Sequence, residues 1–334
     1  MEQTIQRKTV VPDKLRTIYA PIAEELEEVE NLMHRELCSD YPFIDLLVKH
    51  GFRLGGKRLR PALLLLAGKA CGSLHNEHFV LAAVAELIHT ATLIHDDVLD
   101  EATIRRHLDT VNARWDNEAS VLLGDYLFAR SLGLASTLDD TFATKILSAT
   151  AKTMCEGELQ QIESRGNYEL SEDQYLSIIG HKTAELIACC CRLGAYYARA
   201  HAETIETLGR YGHNLGVAFQ IADDVLDLLG DENTVGKSLG TDLLKQKATL
   251  PLIRLLDQFP ALQRNVLIEE LTASGNHRLE VLRKWIDRSD AIDYVRNRAV
   301  SFAHLAAEEL RELPPGPALD SLYAMTEFVI NRQL

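Results

Sequence analysis

The strongest chemical signal in the chain is an acidic motif that occurs twice. Asp-Asp-Val-Leu-Asp occupies 96–100 and occurs again at 223–227. Side chains four residues apart on a helix lie about 40° apart around its axis and one turn apart along it. The first and last carboxylates of each motif therefore share one helix face. The six acidic residues are Asp96, Asp97, Asp100, Asp223, Asp224 and Asp227.

Clustered carboxylates of this kind are costly without a ligand. They repel one another, and each motif lies at the C-terminal end of an apolar helix, which already carries partial negative charge. A bound cation removes both penalties. Oxygen ligands without accompanying Cys or His favour Mg²⁺, which completes its coordination shell with water and substrate phosphates. Two facing clusters would suit a diphosphate bridged by several Mg²⁺ ions, whereas the alternative interpretation is two solvated helix ends.

Two cationic segments could bind the same kind of polyanion. The segment 55–61, Gly-Gly-Lys-Arg-Leu-Arg-Pro, places Lys57 and Arg60 at the start of a helix, where backbone N–H groups favour anions. Arg105 and Arg106 follow the first acidic motif, and the guanidinium group suits bidentate phosphate contacts. Taken alone, either segment could also be ordinary surface charge.

Other polar side chains are spaced to join the two acidic faces. His89 precedes Asp96 by seven residues, which leaves the two about 20° apart around a helix. Gln220 precedes Asp223 by three residues and lies within about 60° of its face. Weaker candidates are Lys182 and Thr183, after an expected turn at Gly180, and the loop residues Lys237 and Lys247.

Helical periodicity runs through most of the sequence and must position these residues. In 77–100 the apolar positions step by three and four residues, and the other apolar residues nearly surround the helix, so we expect it to be buried. Similar patterns cover 141–163, 172–199 and 203–229, and no alternating pattern indicates a strand. We expect one all-α domain over 1–334, an antiparallel helical bundle of about a dozen helices, with 1–12 as a flexible N-terminus.

Composition excludes several classes of protein. The 334 residues carry 35 Lys+Arg against 49 Asp+Glu, a net charge of −14, which argues against a nucleic-acid partner. No apolar stretch is expected to span a bilayer, and the polar N-terminus shows no secretory signal. The six cysteines have no zinc-like spacing and suggest buried or half-buried cytosolic thiols, so we expect a cytoplasmic protein.

Taken in order, these segments resemble the trans-polyprenyl diphosphate synthase family from about Leu47 to the C-terminus. The resembling segments lie at 55–61, 88–100, 122–127, 157–161, 182–184, 219–227 and 236–251. The resemblance implies an all-α isoprenoid synthase fold around a central cavity and a homodimer. It also implies an Mg²⁺-dependent prenyltransferase that adds isopentenyl diphosphate head-to-tail to an allylic diphosphate and releases pyrophosphate.

The resemblance also implies a role for each candidate residue. Implied Mg²⁺ ligands are Asp96, Asp100 and Asp223, with Asp97, Asp224 and Asp227 supporting them. Implied contacts of the allylic diphosphate are Arg105, Lys182, Thr183, Gln220, Lys237 and Lys247. Implied contacts of isopentenyl diphosphate are Lys57, Arg60, His89 and Arg106. The residues to which catalysis is assigned are Asp96, Asp100, Arg105, Lys182 and Asp223.

Product length would depend on what blocks the apolar channel below the first acidic motif. Short-product relatives often carry a bulky aromatic four or five residues before the first Asp, where this chain has Thr92 and Ala91. The small residues favour a long product of the octaprenyl or heptaprenyl type. By helix projection Thr92 is near the Asp96 face, whereas Ala91 is about 140° away.

The chain departs from the family pattern where His107 and Asp116 replace common glycines, which could change the backbone beside Arg106. Alternatives left open are a synthase of geranylgeranyl or farnesyl length, a non-catalytic subunit of a heteromeric synthase, and a phosphohydrolase of the HD type. A terpene cyclase fits less well, because it has no isopentenyl diphosphate to bind at 55–61.

Overall fold

The regular structure of this protein is almost entirely helical. The computed structural model describes residues 13–53, 56–230, 240–273 and 275–331, so the expected flexible segment 1–12 lies outside the described residues. The first seven helices are α1 Asp13–Tyr19, α2 Ala23–Leu37, α3 Pro42–Arg53, α4 Leu59–Cys71, α5 Asn76–Leu99, α6 Val111–Arg114 and α7 Asn117–Ala135. A 3₁₀ turn, Ala20–Ile22, joins α1 to α2.

The remaining helices confirm the long periodic segments. They are α8 Phe142–Glu163, α9 Glu172–Ile179, α10 Glu185–Tyr197, α11 Ala202–Leu229, α12 Thr241–Leu244, α13 Leu250–Gln258, α14 Ala261–Ala273, α15 Arg278–Ile286, α16 Ala291–Glu309 and α17 Pro317–Ile330. A 3₁₀ turn, Gly275–His277, precedes α15. The expected turn at Gly180 is wrong, because a π-helical turn, Gly180–Ala184, carries the chain directly from α9 into α10.

The chain separates into two compact units. The first comprises Met1–Thr144, Arg192–Ile205 and Leu313–Ala324, and the second comprises Lys145–Cys191, Glu206–Glu312 and Met325–Leu334. The single domain expected over 1–334 stays a prediction.

The core of the first unit is built around α5. This helix packs against α2, α4 and α7, and its residues 81–85 are fully buried. Its most apolar window has a mean hydropathy of 1.4, so by length and composition alone it could cross a membrane. This differs from the expectation that no stretch would qualify. However, 72% of that window is buried inside the protein, which is the pattern of a helix enclosed in a packed core.

Close helix packing in the second unit depends on two glycines of α11. A methyl carbon at Gly212 would lie 2.8 Å from the Cα of Ala188, and one at Gly216 would lie 2.6 Å from the Cα of Ala184. Such distances are too short for carbon atoms in van der Waals contact, which lie about 3.5–4.0 Å apart. The absence of side chains at these two positions therefore lets α11 approach the π-helical turn and α10.

A short hairpin corrects the expectation that the chain has no strands. Ile104–Arg105 (β1) pairs antiparallel with Leu108–Asp109 (β2). The two turn residues, Arg106 and His107, have φ of +51° and +61°. Two positive φ values are typical of a type I′ turn, which favours Asn-Gly. His107 therefore adopts the left-handed backbone conformation that glycine adopts most easily, and the hairpin forms without a glycine at this position.

We expect Gly216→Val to lower the free energy of unfolding by about 1–3 kcal/mol, because the new side chain meets backbone atoms that cannot move independently. Urea unfolding measures the change. The control is Gly133→Ala, since a methyl carbon added there has no atom within 4 Å apart from its chain neighbours and the backbone of its own helix. The control should be neutral or slightly stabilising. Equal stability of the Gly216→Val variant and the parent protein would contradict the close packing.

Candidate active site

The first acidic motif lies at the C-terminal end of α5, and its three carboxylates have different surroundings. Asp97 is 1% exposed and is bound by Arg105, whose Nε donates to its two carboxylate oxygens at 2.9 and 3.1 Å. A second guanidinium nitrogen, Nη2, lies 2.8 Å from Asp97 Oδ1. Asp96 and Asp100 are half-buried. The motif thus divides into one buried carboxylate and two half-buried carboxylates.

The hairpin and α6 fix the chain after this motif. The Ala102 amide donates to the Asp97 carbonyl at 2.9 Å, and Thr110 Oγ1 donates to the Ala102 carbonyl at 2.7 Å. Asn112 Nδ2 donates to that same carbonyl at 3.0 Å. The Asp97 carbonyl at the end of α5 therefore has a donor, and Arg105 is brought back over the motif.

The structure brings the predicted isopentenyl diphosphate residues of the first unit into one cationic group. A methyl carbon at Gly56 would lie 2.7 Å from Arg106 Cζ, so the Arg106 guanidinium rests against the backbone next to Lys57. Burial, followed by the positive charges of Arg60 and Arg106, lowers the pKa of the His89 imidazole well below its usual value. A neutral imidazole carries one N–H donor, which suits a phosphate oxygen.

The second acidic motif lies at the C-terminal end of α11, and two of its three carboxylates are almost fully buried. Asp224 is 3% exposed. It accepts hydrogen bonds from Tyr175 Oη at 2.7 Å and from Gln220 Nε2 at 2.9 Å. Burial, then the negative charge of Asp242, raises the pKa of the Asp224 carboxyl. Positive charge bound beside the motif would oppose that rise.

The other two carboxylates of this motif differ in burial. Asp227 is 1% exposed and accepts hydrogen bonds from Thr241 Oγ1 at 2.9 Å and from the Asp242 amide at 3.3 Å. Asp223 is half-buried. Of the three, Asp223 is therefore the carboxylate with the most access to solvent.

The π-helical turn Gly180–Ala184 places two further candidates beside this motif. Lys182 Nζ donates to Gln161 Oε1 at 2.9 Å and forms an ion pair with Glu158. Thr183 Oγ1 donates to Gln220 Oε1 at 2.9 Å. Single π-helical turns inside α-helices occur frequently at functional sites.

A cavity of about 70 Å³, lined by both polar and apolar side chains, adjoins these residues within the second unit. Its lining includes Lys182, Thr183, Gln220, Asp224, Asp242 and Lys247. Lys247 is 8% exposed and lies 3.4 Å from Asp242 Oδ1. The cavity therefore joins five predicted site residues to a carboxylate, Asp242, that the sequence analysis did not select. Lys237 lies outside the described residues.

The donor set fits a hard divalent cation that keeps ligands from water and substrate. Within the described ranges, no group of three or more His, Cys, Asp and Glu side chains is arranged to hold a metal ion. The half-buried candidates are Asp96, Asp100 and Asp223, all oxygen donors. A site that supplies one or two carboxylates and leaves the other positions to phosphate is typical of Mg²⁺.

The comparisons with known proteins cover nearly the whole chain. A family model described as polyprenyl synthetase matches residues 42–287. The chain belongs to the polyprenyl synthetase family. It is 36% identical over 321 residues to the all-trans-nonaprenyl-diphosphate synthase (geranyl-diphosphate specific) of Rhodobacter capsulatus, covering 96% of this chain and 98% of the relative. It is 35% identical to heptaprenyl diphosphate synthase component 2 of Bacillus subtilis strain 168, covering 96% and 91%.

A solved structure extends the similarity to three dimensions. The polyprenyl synthase of Caulobacter crescentus CB15, complexed with calcium and isoprenyl diphosphate, superposes with a TM-score of 0.90 at 33% identity, covering 96% of this chain and 98% of that one. Polyprenyl synthetases are prenyl synthases that use a divalent metal and isoprenyl diphosphate substrates. The all-α fold expected from the sequence is confirmed.

The residues considered for product length lie on different sides of α5. Thr92 is half-buried, and its Oγ1 donates to the His89 carbonyl at 2.8 Å. Ala91 is 1% exposed and lies in the packed interior. This difference agrees with the helix projection, which places Thr92 near the Asp96 face and Ala91 away from it. The role of both residues in product length stays a prediction.

We expect Asp97→Asn to lower the free energy of unfolding by about 1–3 kcal/mol, because Arg105 loses a charged, hydrogen-bonded partner. Urea unfolding measures the loss. Asp116→Asn is the matched control: Asp116 Oδ1 accepts from the Ala119 amide at the start of α7, and asparagine caps a helix equally well. If both substitutions have the same small effect, the Asp97–Arg105 pair does not hold this segment.

Proposed function

We propose that this chain is a trans-prenyltransferase that condenses isopentenyl diphosphate head-to-tail with an allylic diphosphate. The products are a longer all-trans polyprenyl diphosphate and pyrophosphate. The observation that carries the proposal is the division of each acidic motif into buried carboxylates and half-buried carboxylates that a cation can reach from solvent. Solvated helix ends without a ligand would not need Arg105, Tyr175 and Thr241 to bind the other members.

The accessible carboxylates are assigned to Mg²⁺ and the side chains around them to the allylic diphosphate. Bound Mg²⁺ would stabilise the negative charge that develops on the leaving diphosphate. Asp96, Asp100 and Asp223 are the proposed ligands, with Asp97, Asp224 and Asp227 holding the surrounding hydrogen bonds. The proposed diphosphate contacts are Arg105, Lys182, Thr183, Gln220, Lys237 and Lys247.

Isopentenyl diphosphate is assigned to the cationic group of the first unit. Lys57, Arg60 and Arg106 supply positive charge, and neutral His89 supplies one N–H donor. Their task is to hold isopentenyl diphosphate so that its double bond lies next to the allylic carbon. The C–O bond of the allylic diphosphate breaks at that carbon. This reaction needs no nucleophilic side chain, and the family resemblance assigns removal of the final proton to the released pyrophosphate.

We propose a product of the long-chain class. The relatives described above are named for nonaprenyl and heptaprenyl products. Thr92 is a small residue on the half-buried face of α5, which would leave an apolar channel open at that level. A synthase of geranylgeranyl or farnesyl length remains the alternative, and product sizing separates the two.

We further propose that the protein forms a homodimer in the cytoplasm. Helix α7 exposes apolar side chains that pairing would cover: Leu122 is 60% exposed, Leu132 is 43% exposed and Val121 is 42% exposed. All six cysteines are thiols rather than disulfides, which agrees with a reducing compartment. One relative is named as a component of a synthase, so a subunit of a heteromeric enzyme is the competing assembly.

The direct test incubates the protein with labelled isopentenyl diphosphate and a series of allylic primers, with Mg²⁺ and with chelator, and sizes the products. The proposal expects elongated polyprenyl diphosphates with Mg²⁺ and none with chelator. Phosphate release without elongation would favour the phosphohydrolase alternative. Elongation that requires a second, different subunit would establish the heteromeric assembly.

We expect Asp96→Ala to lower turnover by about three orders of magnitude or more, because a charge-stabilising metal contact is lost at the leaving group. Steady-state kinetics with labelled isopentenyl diphosphate measure the change. Asp257→Ala removes an exposed carboxylate near the end of α13 and should leave turnover unchanged. Normal turnover in the Asp96→Ala variant would contradict the ligand assignment.

We expect Thr92→Phe to shorten the product, because an aromatic ring one turn before Asp96 would block an open channel at a depth of about 5 Å. Chromatographic sizing of the polyprenyl chains measures the effect. Thr272→Phe, at an exposed position of α14, is the control and should leave product length unchanged. Ala91→Phe provides a second variant at the adjoining position. An unchanged product with both Thr92→Phe and Ala91→Phe would refute the channel.

A further inference from the structure

Arg58 is a buried cation in the middle of the segment 55–61, and the function described above gives it no task. It is 7% exposed and directly precedes α4. Its backbone has φ of +53° and ψ of +34°, a left-handed conformation that is uncommon outside glycine. Such a conformation persists only where the surrounding structure holds it.

Two helices supply carboxylates to Arg58. Nη1 donates to Glu86 Oε1 of α5 at 2.8 Å, and Glu86 is 2% exposed. Nε and Nη2 both donate to Glu30 of α2, the latter at 3.3 Å. The guanidinium carbon also lies 5.8 Å from the centre of the Phe52 ring. Arg58 is therefore neutralised and held in place by the protein itself.

A third helix, α1, holds Lys57, the residue that precedes Arg58. Tyr19 Oη, at the end of α1, donates to the Lys57 carbonyl at 2.9 Å. Tyr19 is 5% exposed. Residues 57 and 58 are thus connected to α1 through the Lys57 carbonyl and to α2 and α5 through the Arg58 side chain.

The charges explain why one cation of this segment needs carboxylate partners. Burial lowers the pKa of His89, and Arg60, Arg106 and Arg58 all lie close enough to lower it further, so several positive charges are concentrated around one side chain. Glu30 and Glu86 more than offset the single positive charge of Arg58, so this side chain is bound within the protein rather than directed at a ligand. Glu86 precedes His89 by three residues on α5, so the same contact connects the start of α4 to the helix that carries His89.

We propose that Arg58 is a positioning residue that, through Glu86 and Glu30, fixes the turn into α4 so that Lys57 and Arg60 bind the diphosphate of isopentenyl diphosphate. The inference rests on the proposed function and assigns Arg58 no contact with substrate. It predicts that disturbing Arg58 weakens binding of this substrate while leaving the allylic substrate unaffected.

The first test is Arg58→Lys, which keeps the charge but loses the planar fork that binds two carboxylates at once. We expect the KM for isopentenyl diphosphate to rise about ten-fold or more, while the KM for the allylic primer changes less than about two-fold. Calorimetric titration with isopentenyl diphosphate alone should show the same loss of affinity. The control is Arg254→Lys, because Arg254 also forms a two-bond pair with a carboxylate, Asp290, and lies over an aromatic ring.

A second variant removes the risk of leaving a buried carboxylate without its partner. Arg58→Met combined with Glu86→Leu deletes both charges, and we expect a folded protein that still shows the raised KM for isopentenyl diphosphate.

An unchanged KM in this double variant and in Arg58→Lys would overturn the positioning role. Equal increases in KM for both substrates would also overturn it, since that result indicates general structural damage. Failure of the proposed function itself is distinguishable, because the unmodified protein would then make no polyprenyl product.

Discussion

The compensation of negative charge at the ends of α5 and α11 is the constraint on which the site depends. Each helix ends in three carboxylates where its backbone dipoles already concentrate partial negative charge. The protein compensates some of these carboxylates internally, with a guanidinium on Asp97 and with hydroxyl and amide donors on Asp224 and Asp227. Asp96, Asp100 and Asp223 are half-buried, and their oxygen atoms are of the kind that a divalent cation favours.

The two copies of the motif differ in which of their carboxylates are buried. In α5 the middle carboxylate is buried and the outer two, Asp96 and Asp100, are half-buried. In α11 the first carboxylate, Asp223, is half-buried, and the other two are enclosed by α9 and by the start of α12. The elements packed against each helix end therefore decide which carboxylates are available, although the five-residue sequence is the same.

Much of the site was predictable because it depends on local patterns. The long helices follow from apolar periodicity, and the grouping of Arg60, His89 and Arg106 agrees with their expected shared ligand. The family and the all-α class are confirmed by the comparisons. The metal-binding and substrate-binding roles of the individual residues stay predictions.

The features that were missed depend on contacts between distant parts of the chain. Tyr175 and Asp224 are 49 residues apart, and Arg58 and Glu86 are 28 residues apart, so no local pattern connects them. The hairpin has two residues in each strand, too few for an alternating pattern to show. A π-helical turn has the same composition as the helix around it, so Gly180 was mistaken for a break. His107 shows that a left-handed position was retained without glycine.

Calorimetric titration of the protein with inorganic pyrophosphate tests the central claim most directly, because it requires no turnover. If metal ions neutralise the accessible carboxylates and connect them to a diphosphate, pyrophosphate binds in the presence of Mg²⁺ and binding is lost with chelator. Asp96→Asn and Asp223→Asn should each weaken the Mg²⁺-dependent binding. Equal pyrophosphate affinity with and without Mg²⁺, unchanged by either substitution, would contradict the account.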